Sequence, residues 1–186
     1  TCWCWRKSAI LMNYFDEINK SMKYLSKKKK VIFIGQAVEY PGTAMFNTLN
    51  GVNKSKLYEL PVAEEMQMGM SLGLAMEGFM PITLYPRWNF LLLATNQIVN
   101  HLDKIKVISD KQFQPKLIIR TSVGSIKPLD PQAQHRGNFS KAFKKLCQNI
   151  RIVELKDKKK IFKEYKKAFN YNGISLMVEF ADSYNS

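Results

Sequence analysis

The sequence predicts an α/β domain in which helices cover both faces of a mainly parallel sheet, a three-layer, doubly wound arrangement. Short apolar segments of strand length alternate with longer segments of helical periodicity along the chain. The first of them, Val31 to Gly35, is apolar throughout, which is typical of a strand buried on both faces. Of the 186 residues 46% are hydrophobic, enough for an ordinary core.

The predicted elements follow one another without a gap from residue 13. Phe15, Ile18, Met22 and Leu25 recur at helical spacing and predict a first helix over 13–25. Pro61 suits the first turn of a helix that would end at about residue 77, before a glycine. The other predicted elements are strands at 31–35, 57–60, 80–85, 116–121, 151–155 and 175–180, a helical turn at 44–49, and helices at 89–107, 139–147 and 158–169.

A single domain is expected, because neither an internal repeat nor an interdomain linker is found. Residues 1–11 lack the apolar region of a signal peptide and are interpreted as an upstream or cloning-derived extension. Met12 is then a plausible start, and residues 12–186 form one domain.

The charge is strongly basic, with 29 Lys and Arg against 15 Asp and Glu, a formal net charge of +14. Only five of the basic residues are arginines, and base readout relies on the bidentate arginine fork. A lysine-rich solvated surface is therefore expected, with no nucleic acid as partner. No apolar run approaches the length of a membrane span, so no membrane association is expected.

The three cysteines are an odd number, which favours a reducing, cytoplasmic location. Cys2 and Cys4 are too close together for a comfortable disulfide or a zinc site. Cys147 lies in an apolar helical stretch and is expected to be a small core residue instead of a nucleophile.

Common motifs for phosphate binding, metal binding and hydrolysis are missing. The sequence has neither G-x-G-x-x-G nor G-x-x-x-x-G-K-[ST], no paired metal-ligand cluster, and no G-x-S-x-G. Ligands of open parallel sheets bind beyond the carboxyl ends of the strands. Glu64, in the first turn after a short strand and beside largely apolar neighbours, is the acid left at such a position. From position alone, a glutamate that caps the helix or pairs with its dipole is the commoner explanation and is favoured over a functional one.

The run of residues 59–109, ELPVAEEMQMGMSLGLAMEGFMPITLYPRWNFLLLATNQIVNHLDKIKVIS, resembles the pyrimidine-binding domain of thiamine diphosphate enzymes. It is most like the beta subunit of the 2-oxo acid dehydrogenase decarboxylase component, with transketolase a more distant relative. Further matching segments follow the same order as in the family: VIFIGQAV, LIIRTSVGS, AQHRGNFSKAF, NIRIVEL and SLMVEF. The resemblance spans residues 13–181.

The resemblance implies a role for each matching residue. Glu64 matches the glutamate that hydrogen-bonds the aminopyrimidine ring and activates the cofactor to its ylide. Phe90 matches the aromatic that packs on the pyrimidine, although a bare helical aromatic would otherwise be read as core. Tyr85 and Pro86, at the end of the preceding strand, are placed at the cofactor as well. His135 matches the loop histidine near the substrate, and without the resemblance it would be read as solvent-exposed.

Several positions depart from the family pattern and put the substrate in doubt. Leu84 and Gln36 stand where acids are usual, and Arg136 where serine is common. Pro86 and Arg87 replace a smaller, uncharged pair.

The family holds the diphosphate and Mg²⁺ through a G-D-G motif on a different domain, and no such motif occurs here. The C-terminal domain of the dehydrogenase beta subunits and transketolases is missing too. The resemblance therefore implies half of an active site, completed by a diphosphate-binding, alpha-type subunit that carries Mg²⁺, whether the enzyme is naturally split or the sequence is a fragment. A homodimer or a heterotetramer is expected, because Gly69 and Gly73 suit close helix packing.

Three functions remain open. The first is a subunit of a thiamine diphosphate-dependent enzyme, an oxidoreductase or transferase active only with its partner. The second is a non-catalytic assembly module that keeps the same fold. The third, a basic nucleic-acid-binding protein, is favoured by the net charge alone.

Overall fold

The computed structural model describes residues 13–126 and 130–185, so the predicted extension at 1–11 lies outside the described residues. Six strands form one sheet in the order β2-β1-β3-β4-β6-β5, and every neighbouring pair is parallel. The strands are β1 (Val31–Gly35), β2 (Leu57–Glu59), β3 (Met80–Tyr85), β4 (Leu117–Val123), β5 (Ile150–Glu154) and β6 (Ile174–Phe180). The predicted parallel sheet is confirmed.

Helices cover both faces of this sheet. The α-helices are α1 (Tyr14–Ser26), α2 (Ala44–Asn47), α3 (Glu64–Met76), α4 (Trp88–Leu91), α5 (Ile105–Ile108), α6 (Ser140–Leu146) and α7 (Ile161–Asn170). Residues of α1, α2 and α7 share one hydrophobic cluster with the sheet, while residues of α3, α4 and α6 share a second. These two clusters are the two interfaces of a three-layer, doubly wound domain.

Alternation along the strands divides the core between the two faces. In β4, Ile118 belongs to the first cluster, whereas Leu117 and Ile119 belong to the second. In β6, Met177 faces the first cluster and its neighbour Leu176 the second. A strand with both faces buried needs apolar residues at successive positions, which explains the continuous apolar runs in the sequence.

Helix α3 begins three residues later than predicted. The amide of Leu60 still donates to the carbonyl of Gly35 at 2.9 Å, so pairing with β1 continues up to Pro61. Residues 61–63 are needed to turn the chain from the sheet edge into the helical layer, and the helix starts at Glu64. The expectation that Pro61 occupies the first turn is therefore wrong.

The predicted end of α3 is confirmed. Gly78 adopts φ +80°, and the amide of Phe79 donates to the carbonyl of Leu74 at 3.0 Å. This is the pairing of a Schellman motif, which favours glycine because it requires the left-handed conformation.

The predicted long helix at 89–107 is interrupted. After α4 the chain forms a 3₁₀ turn at Leu92–Ala94, a wide π turn at Gln97–Leu102 and then α5. The π turn leads into buried Asp103, whose carboxylate accepts from the amide of Asn149 at 2.6 Å. Helical periodicity in the sequence does not distinguish such a wide turn from a regular α-helix.

Cys147 directly follows α6 and is buried, which confirms its interpretation as a core residue. Burial raises the pKa of its thiol to about 11, so it stays protonated at neutral pH. None of the helices in the described ranges is long and apolar enough to cross a membrane.

Candidate functional site

The candidate site lies at the carboxyl edge of the sheet, where β1, β2 and β3 end side by side. Glu64 is the first residue of α3 and is only 4% exposed. Its Oε1 accepts from Gln36 Nε2 at 3.1 Å, and within the described residues its Oε2 has no hydrogen-bond partner. The carboxylate is thus fixed at one oxygen by a residue that follows β1, and the other oxygen has no partner among the described residues.

A capping role does not account for this carboxylate. A capping side chain accepts from backbone amides of the first helical turn, whereas the hydrogen bond of Glu64 comes from the Gln36 side chain. Ala63, at the N-cap position, makes no side-chain cap bond either. The adjacent acid, Glu65, is exposed, as the helical rotation between consecutive residues requires.

Gln36 is held in place by the loop that it begins. The carboxylate of Glu59, the last residue of β2, accepts from the amides of Ala37, Val38 and Glu39 at 2.8, 2.7 and 2.8 Å. These three bonds stabilise the left-handed backbone of Ala37, at φ +53°. Glu59 therefore fixes the loop that presents Gln36 to Glu64.

Gly35, the last residue of β1, adopts φ +147°. The atoms around it leave no room for a side chain at this position. A Cβ there would lie 2.5 Å from the carbonyl oxygen of Leu84 and 2.8 Å from Nε2 of Gln67. The Gln67 amide itself donates to Leu84 O at 2.8 Å and to Thr83 Oγ1 at 2.9 Å. These contacts fasten α3 to β3 one turn after Glu64.

Tyr85 contacts Glu64 at the start of α3. The ring is fully buried, and its hydroxyl donates to the Glu64 carbonyl at 3.2 Å. Burial raises the pKa of Tyr85 well above its ordinary value, so the hydroxyl keeps its proton. Pro86, the next residue, is half-buried, and its carbonyl accepts from Ser122 Oγ at 2.6 Å.

Phe90 and His135 lie against each other, with ring centroids 5.3 Å apart. Both are half-buried, and Nδ1 of His135 is buried without a hydrogen-bond partner. Trp88 anchors the short helix of Phe90, because its buried ring packs on Phe143 at 5.0 Å between centroids. The structure thus brings together two predicted site residues from distant parts of the chain.

Two groups of predicted residues are therefore observed, Glu64 with Tyr85 and Phe90 with His135. The supporting residues Glu59, Gln67 and Trp88 were missed from the sequence. Gln36 was noted as a departure, but its contact with Glu64 was not predicted. Leu84, the other departure, is fully buried in the first cluster and faces away from the site. Within 13–126 and 130–185, no group of three or more His, Cys, Asp or Glu side chains is placed to hold a metal ion.

Comparisons with known proteins point to one family in sequence and in fold. The chain is 28% identical over 119 residues to the 2-oxoisovalerate dehydrogenase subunit beta of Bacillus subtilis (strain 168), covering 61% of this chain and 36% of the relative. It is 30% identical over 129 residues to the pyruvate dehydrogenase E1 component subunit beta of Staurastrum punctulatum, covering 67% and 39%. The chain spans less than half the length of these relatives. No protein-family profile matches.

The fold is also that of a solved structure described as a split gene transketolase, inactive beta4 tetramer. The TM-score is 0.70 at 15% sequence identity, over 91% of this chain and 52% of the other. At this identity the likeness concerns the fold alone. Together the comparisons confirm the predicted resemblance: this chain is similar in fold and sequence to the pyrimidine-binding domain of thiamine diphosphate enzymes, with beta subunits of 2-oxo acid dehydrogenases among its relatives.

Proposed function

We propose that the chain is the pyrimidine-binding half of a thiamine diphosphate-dependent enzyme of the 2-oxo acid dehydrogenase beta or transketolase type. The observation that carries this proposal is the carboxylate of Glu64, fixed at one oxygen by Gln36 and open at the other. It stands at the carboxyl edge of a parallel sheet, where ligands of such sheets bind.

The residues present fit the aminopyrimidine of the cofactor. Glu64 offers a hydrogen-bonding carboxyl to a ring nitrogen, and Phe90 offers an aromatic face whose ring is half-buried and held by its neighbours. Tyr85 acts on the site through Glu64, because its hydroxyl holds the helix start in place. Pro86 lies at the same edge of the sheet, where its carbonyl accepts from the hydroxyl of Ser122. When bound, thiamine diphosphate supplies a nucleophilic carbon and an electron sink.

Glu64 is the group that would exchange a proton with a ring nitrogen of the aminopyrimidine. Gln36 donates to Oε1 and so occupies that oxygen, which leaves Oε2 as the position where a proton is taken up or given. Positioned acid–base groups of this kind contribute roughly 10²–10⁴-fold to rates.

His135 is the second candidate for proton handling. Its ring stacks at an angle on Phe90, and Nδ1 lacks a partner among the described residues, so it has a hydrogen bond to offer to a substrate. A buried polar atom without a partner costs about 1–3 kcal/mol. Such a cost is recovered when a ligand supplies the bond.

A partner chain is part of the proposal. The residues described here provide no group of acids for a metal, and the G-D-G motif that holds the diphosphate in the family is missing from the sequence. An alpha-type subunit that binds the diphosphate and Mg²⁺ would complete the site. We place the protein in the reducing cytoplasm, in keeping with its cysteine usage.

Helix α3 offers the surface for assembly. Met66 and Met70 are 45% and 42% exposed, and a Cβ added at Gly69 or Gly73 would meet nothing within 4 Å in this chain. An exposed apolar helix face with small residues is suited to close packing against another subunit. We propose at least a homodimer, and a heterotetramer with the partner.

Calorimetry tests the proposal directly. The isolated chain is expected to bind thiamine diphosphate negligibly, since phosphate and metal contacts lie on the partner. After addition of a partner chain that carries the G-D-G motif, Mg²⁺-dependent binding should appear. A complex that forms but never binds the cofactor would favour the non-catalytic assembly module instead.

A further inference from the structure

A cleft of about 560 Å³ opens at the same edge of the sheet, beside the Pro86–Arg87 segment. We call it the Arg87 cleft. It is lined by residues 41–45 and 47 before and within α2, by Pro86 and Arg87, by residues 122, 124 and 125 at the end of β4 and just after it, and by Ala181 and Tyr184. None of the residues with an assigned role except Pro86 belongs to it.

Arg87 is a charged residue of this cleft whose side chain has no partner among the described residues. Its side chain is half-buried, and it makes no hydrogen bond or ion pair with any other described residue. Its Nη1 is buried without a partner. Arg120 and Arg151 also have a buried Nη1 without a partner, but each of them pairs with a glutamate, whereas Arg87 does not. Because a buried donor without an acceptor is destabilising, an arginine in this state suits an acceptor from outside the described residues. The arginine fork matches a carboxylate or a phosphate in a bidentate manner.

Neighbouring acids do not neutralise Arg87. Tyr184, which lines the cleft, donates its hydroxyl to Glu179. The charge of Glu179 is compensated by Arg120, whose Nε lies 2.7 Å from Oε1 of Glu179. Asp182, near Gly124, accepts from the amide of Ile126 at 2.6 Å and forms no ion pair with Arg87. No described acid is paired with Arg87, so its guanidinium is available to an anion.

The location of the cleft relates it to the candidate cofactor site. Arg87 follows Tyr85, which holds Glu64, by two residues, and its carbonyl accepts from the amide of Phe90 at 3.1 Å. The cleft thus adjoins the turn that connects Tyr85 to Phe90. The resemblance described above has a small, uncharged pair at Pro86 and Arg87, so the charge is a departure of this chain.

We propose that the Arg87 cleft binds the anionic group, a carboxylate or a phosphate ester, of the substrate. The assignment of this anion to a substrate rests on the proposed function, whereas the binding of an anion at Arg87 does not. The substrate class that follows is a carbonyl compound that carries a second, acidic group away from its reacting carbon.

The test is a titration of the full chain with inorganic phosphate, followed by ¹H–¹⁵N correlation spectra. Acetate and chloride at matched ionic strength are titrated in parallel. Saturable shifts confined to the amides near Ser122, Gly124 and Arg87 are expected with phosphate or acetate but not with chloride. Saturation by phosphate alone indicates a phosphate ester, and saturation by acetate indicates a carboxylate. If neither anion saturates, the proposal is overturned.

Variants assign the effect to the guanidinium. Arg87→Gln should weaken binding by roughly tenfold to a hundredfold, because it removes charge-assisted hydrogen bonds. The control Arg151→Gln makes the same change of net charge at β5, where Arg151 pairs with Glu164, and should bind as the parent does. Equal weakening in both variants, or full binding by Arg87→Gln, would refute the assignment.

A third variant keeps the test decisive if Arg87→Gln does not fold. If the spectrum of Arg87→Gln loses its dispersion, Arg87→Lys decides, because it keeps the charge but not the planar fork. It should bind several-fold more weakly than the parent, and unchanged affinity would overturn the proposal. The titration needs neither cofactor nor partner, so its failure leaves the proposed function standing, and a failed cofactor titration leaves this result standing.

Discussion

Replacement of Arg120 by methionine should cost about 3–5 kcal/mol of the free energy of unfolding. Arg120 lies in β4 and is completely buried. Its Nε and Nη2 donate to the two carboxylate oxygens of Glu179 at 2.7 and 3.0 Å, and Nη2 also donates to Thr48 Oγ1 at 3.0 Å. Burial alone would lower the pKa of Arg120, but the charge of Glu179 outweighs this and raises it above the ordinary value.

The magnitude follows from what the substitution leaves behind. Methionine fills much of the same volume but removes three hydrogen bonds, two of them to a buried charge. Glu179 then keeps only the hydroxyls of Tyr165 and Tyr184 as described donors. Removing one partner of a buried ion pair leaves the other charge uncompensated, which is why the cost exceeds that of a surface pair. For a chain of this size the loss corresponds to a decrease in Tm of roughly 6–20 °C.

Urea unfolding followed by circular dichroism measures this loss. Arg136→Met is the control, since Arg136 pairs with Asp130 at the surface and should lose less than about 1 kcal/mol. The double variant with Glu179→Met should recover part of the stability, because both charges leave the core together while the hydroxyls of Tyr165 and Tyr184 lose their acceptor. A loss below about 1 kcal/mol for Arg120→Met, or a double variant as unstable as the single one, would refute the reasoning.

Other predictions concern the site loop, the tyrosines and the assembly surface. Gly35→Ala should destabilise the fold by about 1–3 kcal/mol in urea titrations and displace the loop that carries Gln36, because its Cβ would overlap a backbone carbonyl; an unchanged midpoint would contradict this. Burial, followed by the charge of Glu179, raises the pKa values of Tyr165 and Tyr184. Their folded pKa values exceed the unfolded value of about 10, so stability should be complete below that pH and fall as pH rises above it; a flat profile in thermal melts from pH 9 to 11.5 would disagree. Met70→Lys should convert the expected oligomer to monomer in sedimentation velocity, and a parent chain that is strictly monomeric at high micromolar concentration would rule out this surface.

The sequence predicted the sheet well, because most strands are short, largely apolar segments that end at a turn signal. Val31 to Gly35 and Met80 to Tyr85 were placed with the residues that the structure shows. Helix boundaries were less certain where tertiary contacts decide them. Continued pairing of Leu60 with Gly35 delays α3, and a π turn replaces regular helix at 97–102.

The site was predicted through a resemblance more than through local chemistry. Glu64, Phe90 and His135 were identified by their place in a family pattern, and the structure puts Phe90 beside His135. Gln36 and Glu59 could not be placed in the site from sequence spacing, since their contacts join segments that meet only when parallel strands end at one edge. Such long-range hydrogen bonds carry no periodic signal.

Exchange of the thiazolium proton of thiamine diphosphate tests the central claim most directly. The complex of this chain with the proposed diphosphate-binding partner, saturated with cofactor and Mg²⁺, would be mixed with D₂O and quenched in acid, and the remaining proton would be counted by NMR. We expect exchange much faster than in free cofactor, reduced roughly 10²–10⁴-fold by Glu64→Gln and unchanged by Glu65→Gln. Equal behaviour of the two variants, or exchange no faster than in free cofactor, would contradict the assignment of Glu64 as the activating acid.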